Sequence, residues 1–197
     1  MERDLMAYRN GTYIAFHAEG KTDPTASDIK YYRMLKAWHK HDSVEFKFID
    51  SHAKVSSVRD TSTKETVMRS LRNRLDKSKN MVLIVGNTTK DDTDFVPYEI
   101  RYAIDTCKIP LIIVYTGYSG ILNPASHRSQ WPAALATRID AKTVKAIHIP
   151  FKRAIIDQAI GQFNLNTQPN GPLCYYSKEY QESKGVNFAK TGIVKII

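Results

Sequence analysis

The run Phe95-Val96-Pro97-Tyr98-Glu99 follows Asp94, a residue type that caps helices, and sets an aromatic ring and a carboxylate four positions apart. On a helix that spacing puts both side chains on one face, and a proline is tolerated in the first turn. A glutamate near the start of such a helix has two uses. Solvated, it complements the positive end of the helix dipole. Turned into a cleft, it stabilises positive charge developing on a substrate. The choice between them depends on the elements that surround the helix.

Those elements alternate between strand and helix patterns almost from the start. Thr12-Tyr13-Ile14-Ala15-Phe16-His17 is a short β-type run, and residues 26–40 carry Ile29, Tyr32, Leu35, Lys36 and Trp38 with helical spacing. Val44 to Ile49 alternates like a half-buried strand and stops at Asp50-Ser51, where a polar stretch to Thr61 reads as a loop. Ser62-Thr63-Lys64-Glu65 has the form of a capping box, and Val67, Leu71 and Leu75 form the stripe of the helix behind it. Met81-Val82-Leu83-Ile84-Val85 and Pro110 to Tyr115 are continuously apolar, as strands covered on both faces are. Ile100, Ala103, Ile104 and Cys107 continue the helix that opens near Asp94. Tyr118 to Trp131 reads as loop, Val144 to Ile149 as a last strand, and Ile156 to Phe163 as a last helix.

Such a pattern predicts a five-stranded parallel sheet with helices on both faces; a flavodoxin-like three-layer α/β sandwich in strand order 2-1-3-4-5 is the expected arrangement. It divides the chain into a domain over residues 1–165 and a C-terminal extension over 166–197, packed on that domain or appended to it. Ligands of such sheets bind beyond the carboxyl ends of the strands. The candidate positions are therefore Phe16 and His17 after the first strand, and Asp50 and Ser51 after the second. Asn87 and Thr88 follow the third, and Tyr115 closes the fourth.

Composition narrows the function classes. The chain has 197 residues, 42% hydrophobic and 25% charged, which suits one core and an ordinary surface. Its two cysteines, Cys107 and Cys174, form no CxxC pair, which argues against a disulfide scaffold or a zinc cluster. Met1-Glu2-Arg3-Asp4 lacks the apolar core of a signal peptide, and no apolar run approaches the ~20 residues of a membrane span. A cytoplasmic protein without a membrane partner is the expectation. The net charge of +9 suits an anionic ligand, but Arg69, Arg72, Arg74, Lys77 and Lys79 lie on one helix and its exit. No basic run is interleaved with stacking aromatics, so no specific nucleic-acid partner is expected. Neither a GxGxxG nor a Walker A loop nor an HExxH pattern occurs, and no metal is expected.

Phe95 to Ala103 resembles the WxxxE region of catalytic TIR domains, with phenylalanine in place of tryptophan. Tyr13-Ile14-Ala15-Phe16-His17 is similar to the first strand of TIR-like proteins of the bacterial Thoeris anti-phage type, although Ala15 stands where many relatives have serine. Met81 to Thr89 followed by Phe95 and Glu99 matches their third strand and catalytic helix in order and spacing. The resemblance covers roughly residues 12–116 and carries definite implications. It implies cleavage of the nicotinamide–ribose bond of NAD, by hydrolysis or with cyclisation to a cyclic ADP-ribose-type signal. It makes Glu99 the catalytic glutamate and Phe95 a wall of the substrate site. Phe16 and His17 would flank nicotinamide, Asp50 and Ser51 would open the loop equivalent to the TIR BB loop, and Tyr115 would stack on adenine. No cofactor is implied, because NAD is the substrate. The implied partners are a second copy of the chain, a downstream effector reached through the nucleotide product, and a phage-derived activator.

The chemistry agrees with a lone carboxylate. Ordinary glycosidases need a second, acidic group to protonate the leaving oxygen. Nicotinamide leaves a pyridinium as a neutral molecule, so only the ribosyl cation needs stabilising. Three other readings compete: a non-catalytic TIR-like adaptor, a phospho-receiver and a nucleoside N-ribosyl enzyme. The receiver reading fails on Gly86-Asn87, which stand where an aspartate is required, and no paired carboxylate supports the last.

Overall fold

The computed structural model describes residues 9–18, 28–41, 48–49 and 64–188. Six strands are found among them: β1 Gly11–Ala15, β2 Phe48–Ile49, β3 Ser78–Val85, β4 Leu111–Tyr115, β5 Ala146–Pro150 and β6 Cys174–Tyr175. They form one sheet in the order β2-β1-β3-β4-β5-β6, and every pairing is parallel. The α-helices are α1 Ile29–His41, α2 Lys64–Leu75, α3 Phe95–Arg101, α4 Ala133–Asp140, α5 Arg153–Gln162 and α6 Lys178–Ser183.

Side chains alternate across a strand, and that parity builds the three layers. Tyr13, Ala15, Met81, Leu83, Val85, Leu111 and Ile113 project to one face, where Val67, Leu71 and Leu75 of α2, Val96 and Ile100 of α3, and Leu135 and Ile139 of α4 cover them. Ile14, Phe16, Val82, Ile84, Ile112 and Val114 project to the other, beneath Tyr32 and Leu35 of α1 and Ile155, Ile156 and Ile160 of α5. Met81–Val85 of β3 and the whole of β4 are buried on both faces, which is why both read as unbroken apolar runs.

The structure departs from the sequence reading at several points. The sheet has a sixth strand: β6 comes from the C-terminal segment and pairs with β5 through Ile147–Cys174 and His148–Tyr175. Two residues are too few to leave a strand signal in sequence. The stretch read as loop before Trp131 contains a 3₁₀ helix, Pro124–Gln130, and α4 follows it. Asp94 does not cap α3 with its side chain. Asp92 does so instead, its Oδ1 accepting from the backbone N–H of Asp94 at 2.8 Å and of Phe95 at 3.0 Å. Asp94 pairs with Lys64 at 2.7 Å on the surface. Beyond Arg101 the helix widens into a π-helical turn, Tyr102–Thr106, yet Ile100, Ala103, Ile104 and Cys107 are all buried. Ser62 and Thr63 of the anticipated capping box lie outside the described residues.

The C-terminal segment is tied to the loop after β4 by a buried glutamine. Gln181, 1% exposed, donates from Nε2 to the Ile121 and Tyr176 carbonyls, both at 2.7 Å, and accepts the Ile121 N–H at 3.0 Å. Phe188 lies so close to Gly120 that a Cβ there would sit 2.3 Å from its ring, so only glycine admits the contact. Both cysteines are free thiols. Among the described residues, no helix is long and apolar enough to cross a membrane.

Candidate functional site

Glu99 lies on the second turn of α3, with its face pressed against the sheet, and is 3% exposed. The fully buried Tyr13, in the middle of β1, donates its hydroxyl to Glu99 Oε1 at 2.5 Å. Burial raises the Glu99 carboxyl from 4.5 to about 8; the Tyr13 hydrogen bond opposes that rise, the charge of Asp92 adds to it, and Arg74 opposes it weakly. The Tyr13 phenol is pushed up well above 10 by burial first and by Glu99 second. Tyr13 therefore remains the donor, and burial biases the Glu99 carboxyl toward its protonated form.

The carboxyl end of the sheet above this pair is built by three turns. His17, two residues past β1, directs Nδ1 at the Thr88 carbonyl at 2.8 Å, and its Nε2 stands 4.0 Å from Asp92 Oδ2. A carbonyl can only accept, so the Nδ1 proton is on that bond. Asp92 thus serves α3 with one oxygen and faces His17 with the other. Behind them the Thr89 hydroxyl accepts the Gly86 N–H at 2.7 Å and donates to Asp28 Oδ2 at 2.8 Å. Asp28 is the residue before α1 and is 4% exposed. A Cβ on Gly86 would stand 2.1 Å from Asp28 Oδ1, so glycine is required where the carboxylate crosses the end of β3.

The structure gathers some of the expected residues and separates others. Glu99, His17 and Thr88 belong to this end of the sheet, with Asn87 exposed beside them and Phe95 half-buried on the same layer as Glu99. Glu99 is sealed under the sheet rather than open to a cleft, because Tyr13 supplies a buried partner. Phe16 projects from the opposite sheet face, 4% exposed and stacked on Tyr32 at 4.7 Å. Tyr115 has no exposed surface. Its hydroxyl accepts from Trp131 Nε1 at 2.7 Å and donates to His148 Nδ1 at 2.8 Å, while His148 Nε2 donates to the Pro172 carbonyl at 2.9 Å. That chain of bonds locks the ring into the core. The aromatic presented to solvent at this strand end is Tyr118, 37% exposed and edge-on to His127 at 4.4 Å. Asp50 and Ser51 lie outside the described residues.

Sequence reasoning missed Tyr13, Asp92 and Asp28. Strand parity held a signal for the first, since Tyr13 and Ala15 share one face of β1 and position 17 continues that parity past its end. An open depression of about 320 Å³ lies at the amino ends of β4 and β5, lined by Asp105, Lys108, Thr137 and Arg138 among others, and includes none of these groups. Among the described residues, no cluster of three or more His, Cys, Asp or Glu is arranged to hold a metal ion.

A doubly wound parallel α/β domain with an acid on the helix after its central strand is a flavodoxin-like fold of TIR-like type. Residues 13–120, more than half of the chain, match the family model of the Thoeris protein ThsB, TIR-like domain, and the chain belongs to that family. Membership makes it a component of Thoeris anti-phage defence signalling.

Proposed function

We propose that the protein cleaves the nicotinamide–ribose bond of NAD and releases an ADP-ribose product, linear or cyclic, that signals to a separate effector. The observation that carries this reading is the Glu99 carboxyl, buried at 3% exposure and aimed by the Tyr13 hydroxyl at 2.5 Å. Cleavage leaves positive charge on the ribose ring while nicotinamide departs neutral. A fixed carboxylate in a dry site stabilises such a cation far better than water does, with single preorganised groups worth ~3–4 kcal/mol of barrier. Burial holds the Glu99 carboxyl up near 8, so the carboxylate that would face this cation grows as pH rises toward that value. Tyr13 keeps one oxygen oriented throughout.

His17, Asn87, Thr88 and Phe95 line the approach in this reading, and Asp50 and Ser51, next in sequence after β2, are assigned to substrate contact. Phe16 and Tyr115 support it from the core. Because Glu99 is so well covered, turnover requires an opening over it, which self-association or an infection-derived activator provides. The test is incubation with NAD at low and high protein concentration, with and without extract of infected cells, followed by mass spectrometry. Released nicotinamide with an equivalent of ADP-ribose product is expected. Intact NAD under every condition would sink the enzyme reading and leave the adaptor reading ahead.

A further inference from the structure

Bond cleavage is half of the reaction; the ribosyl cation must then be captured by a nucleophile that loses a proton. Glu99 is poorly placed for that second task, since its ionised form is needed opposite the cation. The NAD-cleaving reading therefore needs another group at the same end of the sheet, and His17 has the required arrangement. Its Nδ1–H is held by the Thr88 carbonyl at 2.8 Å, which fixes both the ring orientation and the tautomer. The lone pair is thereby confined to Nε2. Asp92 Oδ2 stands 4.0 Å from that nitrogen, beyond hydrogen-bonding distance, and puts a carboxylate beside the position a transferred proton would occupy. The His17 side chain is 17% exposed and Asp92 10%, so the pair meets solvent whereas Glu99 does not. The Thr88 carbonyl thus orients the ring through the nitrogen opposite the base, as the carboxylate of a catalytic triad does, while Asp92 stands beside the base nitrogen itself.

We propose that His17 is the general base of the capture step. The bond from the anomeric carbon to the nicotinamide nitrogen breaks with its electron pair passing to nicotinamide, which leaves neutral. A water oxygen then bonds to the anomeric carbon, and one of its protons moves to His17 Nε2. The resulting imidazolium, stabilised by Asp92, later returns that proton to solvent. An internal hydroxyl capturing the cation would lose its proton by the same route. A pyridine nucleophile behaves differently, because it has no proton to lose and needs no base.

That difference supplies the experiment, which rests on the NAD-cleaving reading and separates the two ideas. Wild-type protein, His17→Asn and Asp92→Asn are each incubated with NAD and 3-acetylpyridine, and ADP-ribose products are quantified against the exchanged dinucleotide. Asparagine at 17 retains a donor for the Thr88 carbonyl and lacks the Nε2 base. Asparagine at 92 retains the acceptor that caps α3 and lacks the charge, so it reads the same step should His17→Asn fail to fold. The ratio of ADP-ribose product to exchanged product should fall about 100-fold in His17→Asn, and in the same direction by a smaller factor in Asp92→Asn. An unchanged ratio, with both products kept or both falling together, overturns the assignment. A wild-type protein that neither exchanges nor hydrolyses overturns the NAD-cleaving reading, and the base assignment with it.

Discussion

The Tyr13 hydroxyl and Glu99 Oε1 meet at 2.5 Å although 86 positions separate them in the chain. The contact joins the middle of β1 to the second turn of α3, and it turns a helix-face glutamate into a buried acid. An acid with a raised pKa is disfavoured as an anion and strongly drawn to a cation. Both properties have measurable consequences.

Glu99→Gln keeps the size of the side chain and removes its charge. Nicotinamide release should fall about 100-fold or more. Stability should respond to pH in a defined direction. The carboxyl titrates near 4.5 when unfolded and near 8 when folded, so the fold prefers its protonated form. Its contribution is whole below pH 4.5 and is lost as pH rises through 8. The variant does not ionise, so its melting temperature should gain on that of the native protein between pH 5 and 8.5. Parallel melting curves across that range would contradict the buried acid.

Tyr13→Phe removes the one bond that favours the Glu99 anion from the strand side. The carboxyl then titrates at still higher pH, and the rise of kcat/KM with pH should be displaced to the alkaline side. The accompanying loss of stability should be about 1 kcal/mol. A pH–rate series on the two proteins tests both points.

Gly86→Ala forces a methyl against Asp28 Oδ1, 2.1 Å from where its Cβ would stand. Overpacking of this kind costs about 1–3 kcal/mol in chemical denaturation. Asp28→Ala clears that space but leaves the Thr89 hydroxyl only the longer bond to the Ile84 carbonyl at 3.4 Å. The double variant should therefore cost less than the sum of the single ones, a coupling that a double-mutant cycle reads directly. Additivity would place the strain elsewhere.

Gln181→Leu retains bulk and leaves the Ile121 N–H and carbonyl unpaired beneath α6. A loss of about 2–3 kcal/mol is expected, seen as a melting temperature lower by several degrees. Unaltered melting would mean that the C-terminal segment docks without this clamp.

His148 contributes to the acid sensitivity of the fold. Burial holds its pKa down at about 4 against an ordinary 6.5. The neutral ring's contribution is whole above pH 6.5 and is lost as pH falls through 4. His148→Asn, which cannot charge, should flatten the decline in melting temperature over that interval. An equally steep decline would assign the acid sensitivity to other groups.

The amino-acid sequence by itself determined the layers. Met81 to Val85 and Leu111 to Tyr115 are apolar without interruption, which only a strand covered on both faces tolerates, and the stripe Val67, Leu71, Leu75 suits nothing but a helix on one such face. Local periodicity records burial, so it reported which segments form the core and located Glu99 on the helix after β3. It did not report which distant side chains meet. The opposite directions of Tyr13 and Phe16 follow from strand parity, but parity assigns neither to a layer until α3 has packed on one face. The choice of Asp92 over Asp94 as cap was made by the turn after Thr89 and by Lys64, a partner 30 positions from Asp94. Tyr115 was sealed by Trp131 and His148, which arrive from outside its own strand. The Tyr13–Glu99 contact and the sealing of Tyr115 depend on atoms brought together only by assembly of the sheet, and the identity of the residue next in sequence carries almost no information about them.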